Sequence, residues 1–115
     1  MILKEAINKH TEWRFKLLTA ISKRETLDAI MIKQDNCCPL GKWLHGEGMA
    51  QYGNKKSFGD LVAKHAAFHR SAGVVADAVN AKRYDAAEKL LDFGKVYSTA
   101  SAAVVIAIKV VQKEI

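Results

Sequence analysis

The stretch SFGDLVAKHAAFHRSAGVVADAVN, residues 57–80, contains no proline and repeats its apolar side chains at helical spacing. Phe58, Leu61, His65, Phe68, His69, Ala72, Val75 and Val79 share one stripe. Ser57 is placed to cap the start, and the pattern runs out near Asn80. A helix this long with one dry face must bury that face against other elements, and its length makes helices the natural partners. The stripe also raises a question. His65 and His69 both lie on it, one turn apart, where a core would ordinarily carry leucine.

Upstream, residues 2–32 hold neither Gly nor Pro. Leu3, Ile7, Trp13, Leu17 and Ile21 recur at helical spacing, with His10 on the same face, so one helix is expected, ending before Asp35-Asn36. Pro39 can open a short helix from Leu40 to Leu44 that Gly46 stops. The segment GEGMAQYGNKK that follows reads as loop. Downstream, a last helix is expected from Tyr84 or Asp85 to the C-terminus. Its stripe is Ala87, Leu90, Leu91, Gly94, Tyr97, Ser101, Val104, Ile108 and Val111. From Ala102 to Val111 it is apolar nearly all round, Lys109 excepted, and so needs more than one neighbour; a second copy of the chain would supply it. The expected fold is all-α: an antiparallel four-helix bundle with one extra short helix, a single domain over residues 1–115, forming a homodimer.

The 115 residues are half apolar and 26% charged, enough to fill a core. The net charge of +6 is spread over both halves, with no basic run and no basic stripe interleaved with aromatics. No nucleic-acid partner is therefore expected. No apolar run approaches the ~18 residues of a membrane span, and the start MILKEAINKH has charge where a signal peptide would be apolar. No membrane insertion is expected, and a cytoplasmic location fits. The two cysteines are neighbours, which argues against a structural disulfide and for metal or redox chemistry.

Three histidines on dry stripes, His10, His65 and His69, point to a shared partner. Buried imidazoles without one would strand polar nitrogens at a cost of ~1–3 kcal/mol each. The i, i+4 pair can share a metal ion, and His10 can reach it from a facing helix if that helix packs antiparallel. Cys38, just before Pro39, can complete a tetrahedral set of three nitrogens and one sulfur, which suits zinc. Four protein ligands close the site and favour structure or sensing over hydrolysis. Cys37 is open to two readings: a thiol able to condense with an oxidised Cys38, or an inert, partly buried residue. His45 reads as exposed, and Asp35 and Glu47 as solvated. Trp13, Trp43, Phe58 and Phe68 are expected to pack around the site, and Gly41 to allow close approach of the short helix.

His10-x-x-Trp13, then Cys38-x-Leu40-Gly41-x-Trp43, then His65-x-x-x-His69, with gaps of 24 and 21 residues, resembles the chemoreceptor zinc-binding domain family over nearly the whole chain. The resemblance implies a dimerising cytoplasmic four-helix-bundle module of bacterial chemoreceptors or diguanylate cyclases. It implies one Zn2+ per chain, held by His10, Cys38, His65 and His69. It further implies a regulatory role, in which the cysteine responds to zinc availability or to an oxidant such as hypochlorite, with a chemoreceptor or cyclase output as partner.

Three rival readings can be weighed on the residues. A zinc hydrolase would need Cys38 off the metal and a general base, yet H-E-x-x-H and paired carboxylates beside the histidines are absent; no enzyme is expected. A haem or di-iron bundle lacks Cys-x-x-Cys-His and inward Glu-x-x-His pairs. A purely structural zinc site holding a dimerisation bundle has the same sequence signature as a sensor and stays open.

Overall fold

In a computed structural model describing residues 2–115, every regular element is helical: α1 (Leu3–Lys23), α2 (Ala29–Lys33), α3 (Pro39–Leu44), α4 (Glu47–Tyr52), α5 (Lys56–Asn80), α6 (Tyr84–Leu90) and α7 (Val96–Glu114). The all-α expectation holds, and the helix read from residues 57–80 is the central one. Helices α1, α2, α6 and α7 all pack on α5. Its stripe from Phe58 to Val79 is buried throughout.

Side-chain contacts set the directions. His10 lies beside His65 and Phe68, and Arg24 at the end of α1 stacks on Tyr84 just past α5. Helices α1 and α5 therefore run the same way, not antiparallel as the shared-ligand argument supposed. The segment from Leu27 to Tyr52 runs back along α5. Leu27 bonds Asn80, Ile32 meets His69, Cys38 meets His65, and Trp43 packs on Phe58. Helix α7 also runs opposite to α5: Tyr97 stacks on Phe68, and Ser57 bonds Glu114 at the far end.

Four boundaries differ from expectation. The helix expected over residues 2–32 stops at Lys23. Arg24 turns left-handed (φ 56°), its N–H bonds Ile21 and the Glu25 N–H bonds Ala20, which is a Schellman closure made without glycine. Asp28 then caps the separate α2 by accepting from the Met31 N–H. The expected loop of residues 46–56 contains α4, because Gly48 lies flat against the Trp43 ring, where a side chain would collide. Ser57 does not cap α5; Lys55 takes that position without a side-chain bond, and the Ser57 hydroxyl donates to Glu114. The expected last helix is cut in two at residues 91–95, where Gly94 adopts φ 84° and turns the chain. Arg14 holds this turn by donating to the Leu91 carbonyl.

Val104, Ile108 and Val111 of α7 are buried, while Ile106 and Val110 stay exposed beside α5. This helix has 19 residues, and its most apolar window has a mean hydropathy of 1.2 with 28% of it buried. By length and composition it could cross a membrane, a test that bundle helices also pass.

Helix α3 sits close against the turn that precedes it. A Cβ at Gly41 would run into the carbonyl of Asp35, whereas one at Gly59, on the open side of α5, would touch nothing. Gly41→Ala should lower unfolding free energy by about 1–3 kcal/mol through forced displacement of α3. Gly59→Ala should raise it by about 0.5–1 kcal/mol through a less flexible unfolded chain. Urea unfolding of the two variants, with opposite shifts in midpoint, checks both.

Candidate metal centre

Three elements converge on one point at the middle of α5. His65 and His69 project there from successive turns of α5, His10 comes from α1, and Cys38 from the N-cap position of α3. The three imidazoles are buried, at 2%, 0% and 1% exposure for His10, His65 and His69. Cys38 is half-buried. One ligand-capable atom from each of the four residues lies within 4.8 Å of every other.

The separations among Cys38, His65 and His69 match one face of a tetrahedral coordination polyhedron. The Cys38 Sγ is 3.3 Å from His65 Nε2 and 3.5 Å from His69 Nε2, and the two Nε2 atoms are 3.1 Å apart. Zinc bonds of ~2.0 Å to nitrogen and ~2.3 Å to sulfur give tetrahedral edges of about 3.3 Å (N–N) and about 3.5 Å (N–S). The polar inventory agrees. His10 Nδ1, His10 Nε2 and His65 Nδ1 have no partner among the described residues. A cation at the centre would take one nitrogen from each ring, which gives His10 a partner and accounts for the convergence of the His65 and His69 Nε2 atoms.

Local structure aims the ligands. The Ile32 carbonyl lies 2.8 Å from His69 Nδ1. A carbonyl only accepts, so Nδ1 carries the hydrogen and the Nε2 lone pair faces the centre. The Gly41 N–H donates to Cys38 Sγ at 3.3 Å, so the sulfur both caps α3 and faces the imidazoles. Trp13 and Phe68 pack edge-on to His69, and Phe68 also covers His10. Trp43 of α3 packs on Phe58 of α5, with ring centres 5.7 Å apart.

Burial pushes the His10 pKa down to about 4 and that of His65 down to about 3, helped in both by the neighbouring His69. His69 is lowered by burial too, against the pull of the Ile32 carbonyl. The imidazoles are thus neutral at pH 7, the form that binds metal. Burial raises the Cys38 thiol, partly offset by the Gly41 and Leu40 N–H groups. A divalent cation supplies the field that ionises it.

All four expected ligands are brought together. Cys37 is not among them; its Sγ turns toward the side-chain oxygens of Gln34 (3.2 Å) and Asn36 (3.5 Å). His45 is exposed as expected, and Asp35 is paired with it at 3.0 Å. Glu47 is exposed. The Ile32 carbonyl and the Gly41 N–H are contributions that sequence reasoning missed, because backbone groups leave no side-chain signature.

The chain matches the family described as chemoreceptor zinc-binding domain over residues 10–76, a span that holds all four converging residues. No curated protein and no solved structure matches it. The donor set and its spacing fit the Zn2+ that defines this family.

The lowered histidine pKa values make the zinc-free fold acid-sensitive. As pH falls below 6.5, the unfolded chain takes up protons that folded His10 and His65 refuse until about 4 and about 3. Stability is therefore full above pH 6.5 and drains away toward pH 4, by on the order of 3 kcal/mol per histidine. Denaturant midpoints of zinc-free protein should fall between pH 7.5 and pH 5, with a shallower fall in His10→Leu. A midpoint independent of pH would contradict the burial argument.

Proposed function

Because the chain belongs to the chemoreceptor zinc-binding domain family, we propose that it is a sensory module of bacterial signal transduction. Its residues 1–115 act as one unit, in which His10, Cys38, His65 and His69 hold a single zinc ion. Its four tracks, α1, α2–α4, α5 and α6–α7, are read as an up-down-up-down four-helix bundle. Two copies join through the apolar face of α7, where Ile106 and Val110 border a groove shared with the start of α5. The module works in the cytoplasm and passes its state to a chemoreceptor or cyclase output. No catalytic turnover is assigned to it.

One observation carries the regulatory reading: the only sulfur in the cluster is also its most exposed ligand and the N-cap of the short helix α3. Bound zinc would keep Cys38 as a thiolate, the species that oxidants attack. With hypochlorous acid, the Cys38 sulfur takes the chlorine and hydroxide leaves; water then replaces chloride, giving the sulfenic acid. That sulfur is a poorer donor to a metal and a changed acceptor for the Gly41 N–H. Helix α3 loses both tethers, while His10, His65 and His69 remain in place to hold the ion. Arrival or loss of zinc would act on the same tethers, so zinc availability and oxidant converge on the position of α3. A purely structural centre would leave α3 in place after oxidation.

The test is to titrate zinc-loaded protein with stoichiometric hypochlorite. Tryptophan emission should change as α3, which carries Trp43, moves, and mass spectrometry should place added oxygen on Cys38. Cys38→Ala should lose zinc affinity by at least about tenfold and show no emission change. An equal response in Cys38→Ala, or none in the wild type, would overturn the reading.

A further inference from the structure

A cleft of about 400 Å³ opens between the N-terminal half of α1 and the segment Cys38–Leu40. Cys38 and His10 line it, with Ala6, Trp13 and Leu40 among its apolar walls. Lys9, Lys16 and Glu5 are its charged lining residues. The Lys16 ammonium sits 5.0 Å over the Trp13 ring, which directs it to the wall of the cleft. Cys38 also borders a second opening, of about 130 Å³, on the other side of Trp13. There the charged lining residue is Asp28. The two approaches to the sulfur are thus of unequal size and opposite charge.

His10 is the buried member of this lining: it is 2% exposed, and both its ring nitrogens lie out of reach of solvent. The Lys9 ammonium is 3.9 Å from Glu12, an exposed pair of little strength. Two ammonium groups against one lining carboxylate, over an apolar wall, suit a small monoanion.

We infer that this cleft is the port through which small anions reach the Cys38 sulfur, drawn in by Lys9 and Lys16. The inference deepens the sensory reading and rests on it for its biological meaning. It makes the sensor selective: anionic small reagents are concentrated at the sulfur, and cationic ones are disfavoured along the wider route.

The test uses zinc-loaded full chain carrying Cys37→Ser, so that Cys38 is the only thiol. Three methanethiosulfonates serve as probes: sulfonatoethyl (anionic), trimethylammonioethyl (cationic) and methyl (neutral). In each case the Cys38 sulfur displaces methanesulfinate and forms a mixed disulfide, read by mass spectrometry. Rates are divided by those of the same reagents with 2-mercaptoethanol. The anionic probe should then react about three- to tenfold faster than the cationic one, and added salt should narrow the gap. The exposed double variant Lys9→Gln/Lys16→Gln should abolish the preference and leave zinc content unchanged. Equal rates, a cation preference, a preference that survives the double variant, or no modification at all would each overturn the port. The sensory reading is judged separately by the movement of α3: movement without charge preference sinks the port alone, and charge preference without movement sinks the sensor alone.

Discussion

Three imidazoles at the centre of this bundle are almost completely removed from water, and the protein answers few of their nitrogens. Of six ring nitrogens, only His69 Nδ1 has a backbone partner among the described residues; His65 Nε2, His69 Nε2 and the Cys38 sulfur meet one another, and the remaining three meet no partner there. Polar groups are not buried in this way without compensation. A divalent ion at the common centre is the compensation that satisfies geometry, protonation and chemistry together. The edges among Cys38, His65 and His69 already have tetrahedral lengths, the imidazoles are neutral where binding needs them neutral, and the thiol lacks only a cation to ionise it. The core of the helical packing is therefore polar at the one level where α1, α3 and α5 meet.

Outside the centre, a few polar contacts keep the short helices in register. Helix α2 is tied to α5 at three heights. The Asn80 side chain bonds both the N–H and the carbonyl of Leu27 at 2.8 Å, Lys33 pairs with Asp77 at 2.7 Å, and the Ile32 carbonyl meets His69. Gly73 lets the Lys33 stem cross α5, since a Cβ there would strike it. The exposed ion pair adds little by itself; its value is positional, because it keeps Ile32 where His69 needs an acceptor. Helix α3 is held differently, by the sulfur at one end, by the Asp35 turn behind Gly41, and by the Asp35–His45 pair. It is too short to be stable alone, so its position depends on these contacts. A change at sulfur thus becomes a change in backbone placement.

Much of this was written in the sequence. The 57–80 stripe with its i, i+4 histidines, the stripe bearing His10, and a proline-opened helix beside a cysteine were each legible, because side-chain identity and spacing carry that information directly. The breaks were not. Arg24 terminates α1 in a left-handed conformation usually given to glycine, so the run without Gly or Pro looked continuous. Gly48 read as a loop residue because its reason for being glycine is the distant Trp43 ring. Gly94 sat on the expected stripe of one long helix, while its actual part is the turn between α6 and α7. The parallel run of α1 and α5 follows from the return of residues 27–52, and no local pattern encodes that path. Within the site, what escaped notice was the backbone: the Ile32 carbonyl that sets a tautomer and the Gly41 N–H that holds the sulfur.

The claim on which all of this depends is the coordination of one zinc ion by three nitrogens and one sulfur, and X-ray absorption at the zinc edge of the loaded protein reads it directly. The account predicts one zinc per chain, with three nitrogen scatterers near ~2.0 Å and a single sulfur near ~2.3 Å. A spectrum with no sulfur in the coordination shell, or with two, would contradict it.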